Sequence, residues 1–215
     1  NNLAVSLRLA GDFNEATRLD EDTLSRRRRT LGPKHLHTLF SSNSLGSDLR
    51  ESGDFQGSRK LLEATLALYR DEVGEDHPET LSTARSLAVT LRKLGQFHAA
   101  HAITIETLGR LQRVHGPNHP ETLGCVVNLA CDQSALNDDS RARETAADAL
   151  DRYKESLGET HAFTLACAWR RKTRCSVRGS TPRTSTRWTS STSASCARSG
   201  IAPSKSCAPI TTRVT

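Results

Sequence analysis

The chain has 215 residues, of which 35% are hydrophobic and only 4% aromatic, enough for a core in one or two domains. Its formal charge of +6 conceals a division: residues 1–168 carry 20 Lys/Arg against all 24 Asp/Glu, and residues 169–215 carry 10 Lys/Arg and no acid. No run of 18 apolar residues and no charged-then-apolar leader occurs, so the composition excludes a membrane span and implies a soluble, cytoplasmic protein. The six cysteines form no CxxC pair, which supports neither a zinc site nor a disulfide framework. The chain lacks methionine and opens with Asn1 and Asn2 in mid-repeat, so a fragment of a longer chain is expected.

The first element recurs throughout. "GPKHLHTL" begins at Gly32, "GEDHPETL" at Gly74, "GPNHPETL" at Gly116 and "GETHAFTL" at Gly158, a fixed spacing of 42 residues. Cutting at that period gives units 1–42, 43–84, 85–126 and 127–168, with no insertion or deletion. In the third unit, Leu81, Ala84, Leu87, Ala88, Leu91 and Leu94 recur at helical spacing, and Gly95 stops the helix. Gly11 and Gly53 hold the same position and Asn137 replaces them in the fourth unit, residues suited to a left-handed helix end. An aromatic follows at Phe13, Phe55 and Phe97, with Asp139 in its place last. A second apolar stripe, Leu61, Leu62, Leu66 and Leu68, ends at Gly74.

Each unit is therefore expected to be a helix, a tight turn at 10–13, 52–55, 94–97 or 136–139, a longer helix and a link. The links should fall near 32–36, 74–78, 116–120 and 158–161. Pro78 suits the first helical position, where its missing N–H would have no partner anyway, and Glu79 suits the positive end of the helix dipole. The recurring His35, His77, His119 and His161 invite a metal reading. Stacked units, however, hold equivalent residues ~8–10 Å apart, whereas zinc needs ligands at about 2 Å. Helix capping or loop packing is the role expected of them. A hairpin whose apolar residues have no partner inside its unit must stack on its neighbours, which predicts an all-α, right-handed solenoid.

The pattern "NNLA…GDF…A…L…LGxxHPxTL" resembles the 42-residue tetratricopeptide repeats of kinesin light chains and of bacterial proteins that join such repeats to an NB-ARC-type nucleotide-binding module. The resemblance covers residues 1–168. The fourth unit departs most, at Asn137 and Asp139, and its hairpin is expected to pack less well. The resemblance implies that first helices line an inner groove in which partner peptides lie. It places Asn2 and Asn128, with Ser44 and Ser86 between them, along that groove, together with Asn43 and Arg85. Arg8, Arg50 and Arg92 recur two turns further on, and Ser134 breaks the series. Amides and guanidinium groups in a row suit an extended, acidic protein segment. As solvated groups, these arginines should be replaceable at little cost in stability.

No GxxxxGK[ST], GxGxxG, HExxH or GxSxG motif occurs, so neither an enzyme active site nor a cofactor, metal or small-molecule substrate is expected. The run Arg26 to Arg29 lies late in a second helix with Asp22 four residues before Arg26, an i,i+4 pairing. Four consecutive residues point around the whole helix, which favours a solvated end over a nucleic-acid patch. Nucleic-acid binding through this run and the basic tail is the alternative function.

Residues 169–215 hold ten Ser, nine Thr and no Leu, which excludes a packed continuation. Helix propensity nevertheless continues to Cys175, so the first helix of a fifth unit should cap the fourth, its remnant reaching 169–178. Beyond it, 179–215 reads as a disordered basic tail. A reading-frame slip explains the break better than a native tail: Trp169-Arg170-Arg171, written TGG-CGN-CGN and regrouped from a preceding C, spells Leu-Ala and a small residue.

Overall fold

A computed structural model of the chain describes residues 2–174, excluding the side chains of Asn2, Val5, Arg8, Leu9, Phe13 and residues 169–174. Among the described residues the chain is nine α-helices and no strand. They are α1 (Asn2–Ala10), α2 (Phe13–Leu31), α3 (Leu36–Ser52), α4 (Phe55–Val73), α5 (Pro78–Lys93), α6 (Phe97–His115), α7 (Pro120–Ala135), α8 (Asp139–Leu157) and α9 (Ala162–Arg174). Turns and links fall where the 42-residue period sets them. The fourth turn closes as the others do, because Asn137 takes the left-handed conformation with φ 66°.

The helix starts explain the repeated phrase. His35, His77, His119 and His161 each use Nδ1 to accept the backbone N–H two residues on, all at 3.2 Å. An imidazole thus satisfies one of the donors that a helix N-terminus leaves unpaired. The threonine of the phrase folds back on the link. Thr80, Thr122 and Thr164 donate to the carbonyls of Gly74, Gly116 and Gly158 at 2.8, 2.8 and 2.9 Å. Second helices are capped differently: Asp12, Asp54 and Asp138 accept from the N–H groups of Glu15, Gly57 and Arg141.

Each helix packs on the next, and the core runs along the stack. Leu62 and Leu66 of α4 bury against Ala84, Leu87 and Leu91 of α5 and Ala100 of α6. In the fourth hairpin Leu123, Val126, Ala149, Leu150 and Tyr153 form a buried cluster with Cys167 of α9. The expectation of a looser fourth hairpin is therefore corrected. Asn137 adopts the conformation that Gly supplies elsewhere, and Asp139, half-buried at the start of α8, accepts a bond from the Ser134 hydroxyl at 3.3 Å.

Candidate functional site

First helices of successive pairs touch, α3 on α5 and α5 on α7, and among the described residues no comparable contact joins α4 to α6 or α6 to α8. The first helices therefore share one side of the stack. Three of the arginines singled out from the sequence lie there, and each spans to the next first helix. Arg50 Nη1 donates to the Ser86 carbonyl at 3.4 Å, Arg85 Nη1 to that of Glu121 at 3.3 Å, and Arg92 Nη1 to that of Asn128 at 3.4 Å. In every case the acceptor is 36 residues further along the chain.

These arginines also hold carboxylates. Arg50 meets Glu51 at 3.3 Å, and Arg85 meets Glu121 at 2.5 Å. Arg92 reaches Asp132, whose side chain is 0% exposed, at 2.5 Å. The other oxygen of Asp132 accepts from the Thr104 hydroxyl of α6 at 2.6 Å. A carboxylate taken out of water is costly unless a cation and hydrogen bonds satisfy it, and here both do. The expectation that Arg92 can be removed at little cost is therefore corrected: its removal strands a buried charge.

The remaining candidates are distributed as follows. Asn43 is half-buried on α3, with its Oδ1 enclosed and without a hydrogen-bond partner. Asn128 is half-buried on α7 and lends its carbonyl to Arg92. Asn2 and Arg8 belong to α1, and their side chains lie outside the described residues. Ser134, which interrupts the arginine series, bonds Asp139 across the fourth turn at 3.3 Å. The capping remnant appears as α9 as far as Arg174, while the expectations for 175–215 lie outside the described residues.

The arginine run does not form one surface. Arg26 bonds Asp22 at 3.0 Å, as its spacing suggests, while Arg27 turns towards α3 and donates to the His37 carbonyl at 2.9 Å and to Ser41 Oγ at 2.7 Å. Arg28 and Arg29 remain exposed. Sequence reasoning missed Asp132 and Thr104: Thr104 does not recur, and Asp132 recurs only at Asp48, two periods earlier. It also missed the Asp caps, although Asp12, Asp54 and Asp138 do recur and could have been found that way.

Cys125 is buried, and burial pushes its thiol up to about 12. Asp132 and Glu121 add to the rise and Arg85 opposes it. Among the described residues no group of three or more His, Cys, Asp or Glu is placed to hold a metal ion. None of their helices is long and apolar enough to cross a membrane.

Helix hairpins at a 42-residue period, tied through their first helices, define an α-solenoid of helix-turn-helix repeats. The tetratricopeptide repeat family model matches residues 1–71 and 41–104, so residues 1–104 carry tetratricopeptide repeats. Its fold is similar to a kinesin light chain candidate of Podosopora anserina with nearly identical TPR-like repeats, at 22% identity and a TM-score of 0.66 over 80% of this chain and 85% of that one. A variant form of that protein gives the same identity and TM-score, with 84% of its chain covered. BtubC (BKLC) of P. vanneervenii is similar at 18% identity and a TM-score of 0.59, over 99% of this chain and 85% of that one. None of the curated proteins matches the sequence. The likeness is one of repeats, and a nucleotide-binding module is no part of it. Tetratricopeptide repeats are generally scaffolds for protein–protein interaction.

Proposed function

We propose that the inner face of α3, α5 and α7 binds an extended, acidic segment of a partner protein in the cytoplasm, and that the chain performs no catalysis. The scaffold in this reading is the four units 1–42, 43–84, 85–126 and 127–168, closed by the helix that follows. The observation that carries it is Arg85. Its side chain is 26% exposed on the inner face and bonds Glu121, whose own side chain is 49% exposed. A guanidinium has five N–H donors in a fixed fork, so donors remain for a carboxylate from a partner. Arg50, at 14% exposure, offers the same on the neighbouring helix. Asn43 adds an amide on the same helix as Arg50.

Support for the non-catalytic part comes from Cys125, whose burial withdraws a nucleophile from the surface. A nucleic-acid role is disfavoured because Arg27 is committed to α3 and Arg26 is paired with Asp22 on its own helix. The test is a selection of short peptides against the full-length chain, run beside single-stranded and duplex DNA. Enrichment of Asp/Glu-containing segments is expected. Enrichment of basic segments, or DNA binding that outcompetes every peptide, would overturn the reading.

A further inference from the structure

A cavity of about 200 Å³ opens among α5, α6 and α7, lined in part by Pro78, Leu81, Arg85, Leu111, His115 and Glu121. The neighbouring hairpins show what belongs in such a space. Leu111 stands one period after Tyr69 and one period before Tyr153, and both tyrosines are buried, at 0% and 4% exposure. The Tyr153 hydroxyl donates to the Pro120 carbonyl at 3.1 Å, and Pro120 is the period equivalent of Pro78 in the cavity wall. The same hydroxyl lies 3.6 Å from where a Cβ on Gly124 would stand, and Ser82, the equivalent of Gly124, also lines the cavity. In the fourth hairpin a phenol therefore fills the gap between the second helix and the first turn of the first. In the third hairpin Leu111 stops short of it, and the gap stays open.

We propose that this cavity binds a small phenolic molecule, its ring against Leu81 and Leu111 and its hydroxyl donating to the Pro78 carbonyl. The size is adequate, since a cavity of roughly 150 Å³ accepts benzene. The polar wall argues for a phenol over a hydrocarbon, because Pro78 presents the acceptor that Tyr153 satisfies next door. The site shares Arg85 and Glu121 with the peptide reading, but the phenol's contacts with Leu81, Leu111 and the Pro78 carbonyl do not rest on that reading.

The experiment is a titration of the isotope-labelled full-length chain with p-cresol, the tyrosine side chain as a free molecule, followed by NMR. Saturable shifts are expected at Leu81, Ser82 and Leu111, with toluene at least about tenfold weaker for want of one hydrogen bond. Leu111→Tyr should fold, melt no lower than the parent chain, and lose p-cresol binding. Leu111→Phe fills the ring volume and serves as the second blocking variant. Absence of saturable shifts, toluene as strong as p-cresol, or undiminished p-cresol binding in a folded blocking variant would each overturn the proposal.

Discussion

Arg92 on α5 and Asp132 on α7 meet at 2.5 Å across 40 residues of sequence, at side-chain exposures of 11% and 0%. The pair joins the third hairpin to the fourth, and Thr104 of the intervening α6 completes it. Arg92→Ala should destabilise the chain by ~3–5 kcal/mol, because it leaves a buried carboxylate without its cation. Arg92→Ala combined with Asp132→Ala should recover part of that loss. Urea denaturation of both variants measures it, and equal losses in the single and double variants would contradict the account.

The histidine caps make a second prediction. His77→Ala should cost about 0.5–2 kcal/mol and His77→Asp much less, since a carboxylate can also accept the N–H at the start of α5. Thermal melting distinguishes them. A His77→Asp variant as unstable as His77→Ala would show that the ring's packing matters more than its acceptor.

The Cys125 thiol carries a pH dependence. Its folded value, about 12, lies above the ordinary 9.0, so as pH rises the unfolded chain releases the proton first. The contribution to stability is complete below pH 9 and is lost as pH climbs towards 12. Cys125→Ala should flatten the fall in stability over that window, read by melting at successive pH values. At neutral pH, labelling of Cys125 by iodoacetamide should occur only through unfolding.

Leu87 is 4% exposed between Leu62, Leu66, Leu91 and Ala100. Leu87→Ala should cost about 2–5 kcal/mol by leaving a cavity between stacked hairpins. Any effect on peptide binding should disappear at temperatures where the variant is fully folded. Binding lost in the folded variant would place Leu87 in the site itself.

The fold was largely legible because one 42-residue period carries every signal at once: the Gly or Asn at the turn, the His cap, the Pro at the helix start and the leucine stripe. The row of first-helix arginines was legible as positions but not as a set of contacts. Arg50 and Arg92 are visible as a row, yet nothing in their spacing says that each bonds a carbonyl 36 residues on. Asp132 is harder still. Its period equivalents are Ser6, Asp48 and Thr90, so the buried carboxylate that commits Arg92 looks like ordinary variation. Burial depends on the stacking of three helices, and no window along one helix contains it. The Tyr69, Leu111, Tyr153 alternation was written in the chain and needed only the structure to give it a volume.

The inner-face reading is tested most directly by the affinity of a selected acidic peptide for the full-length chain and for Arg85→Ala. Arg85 is the choice because its ion pair is partly solvated, so its loss should change stability by less than about 1 kcal/mol. The account predicts an affinity loss of about 1.5–3 kcal/mol, roughly 10- to 150-fold, with the melting temperature nearly unchanged. An affinity equal to that of the parent chain, with the peptide still bound, would contradict it.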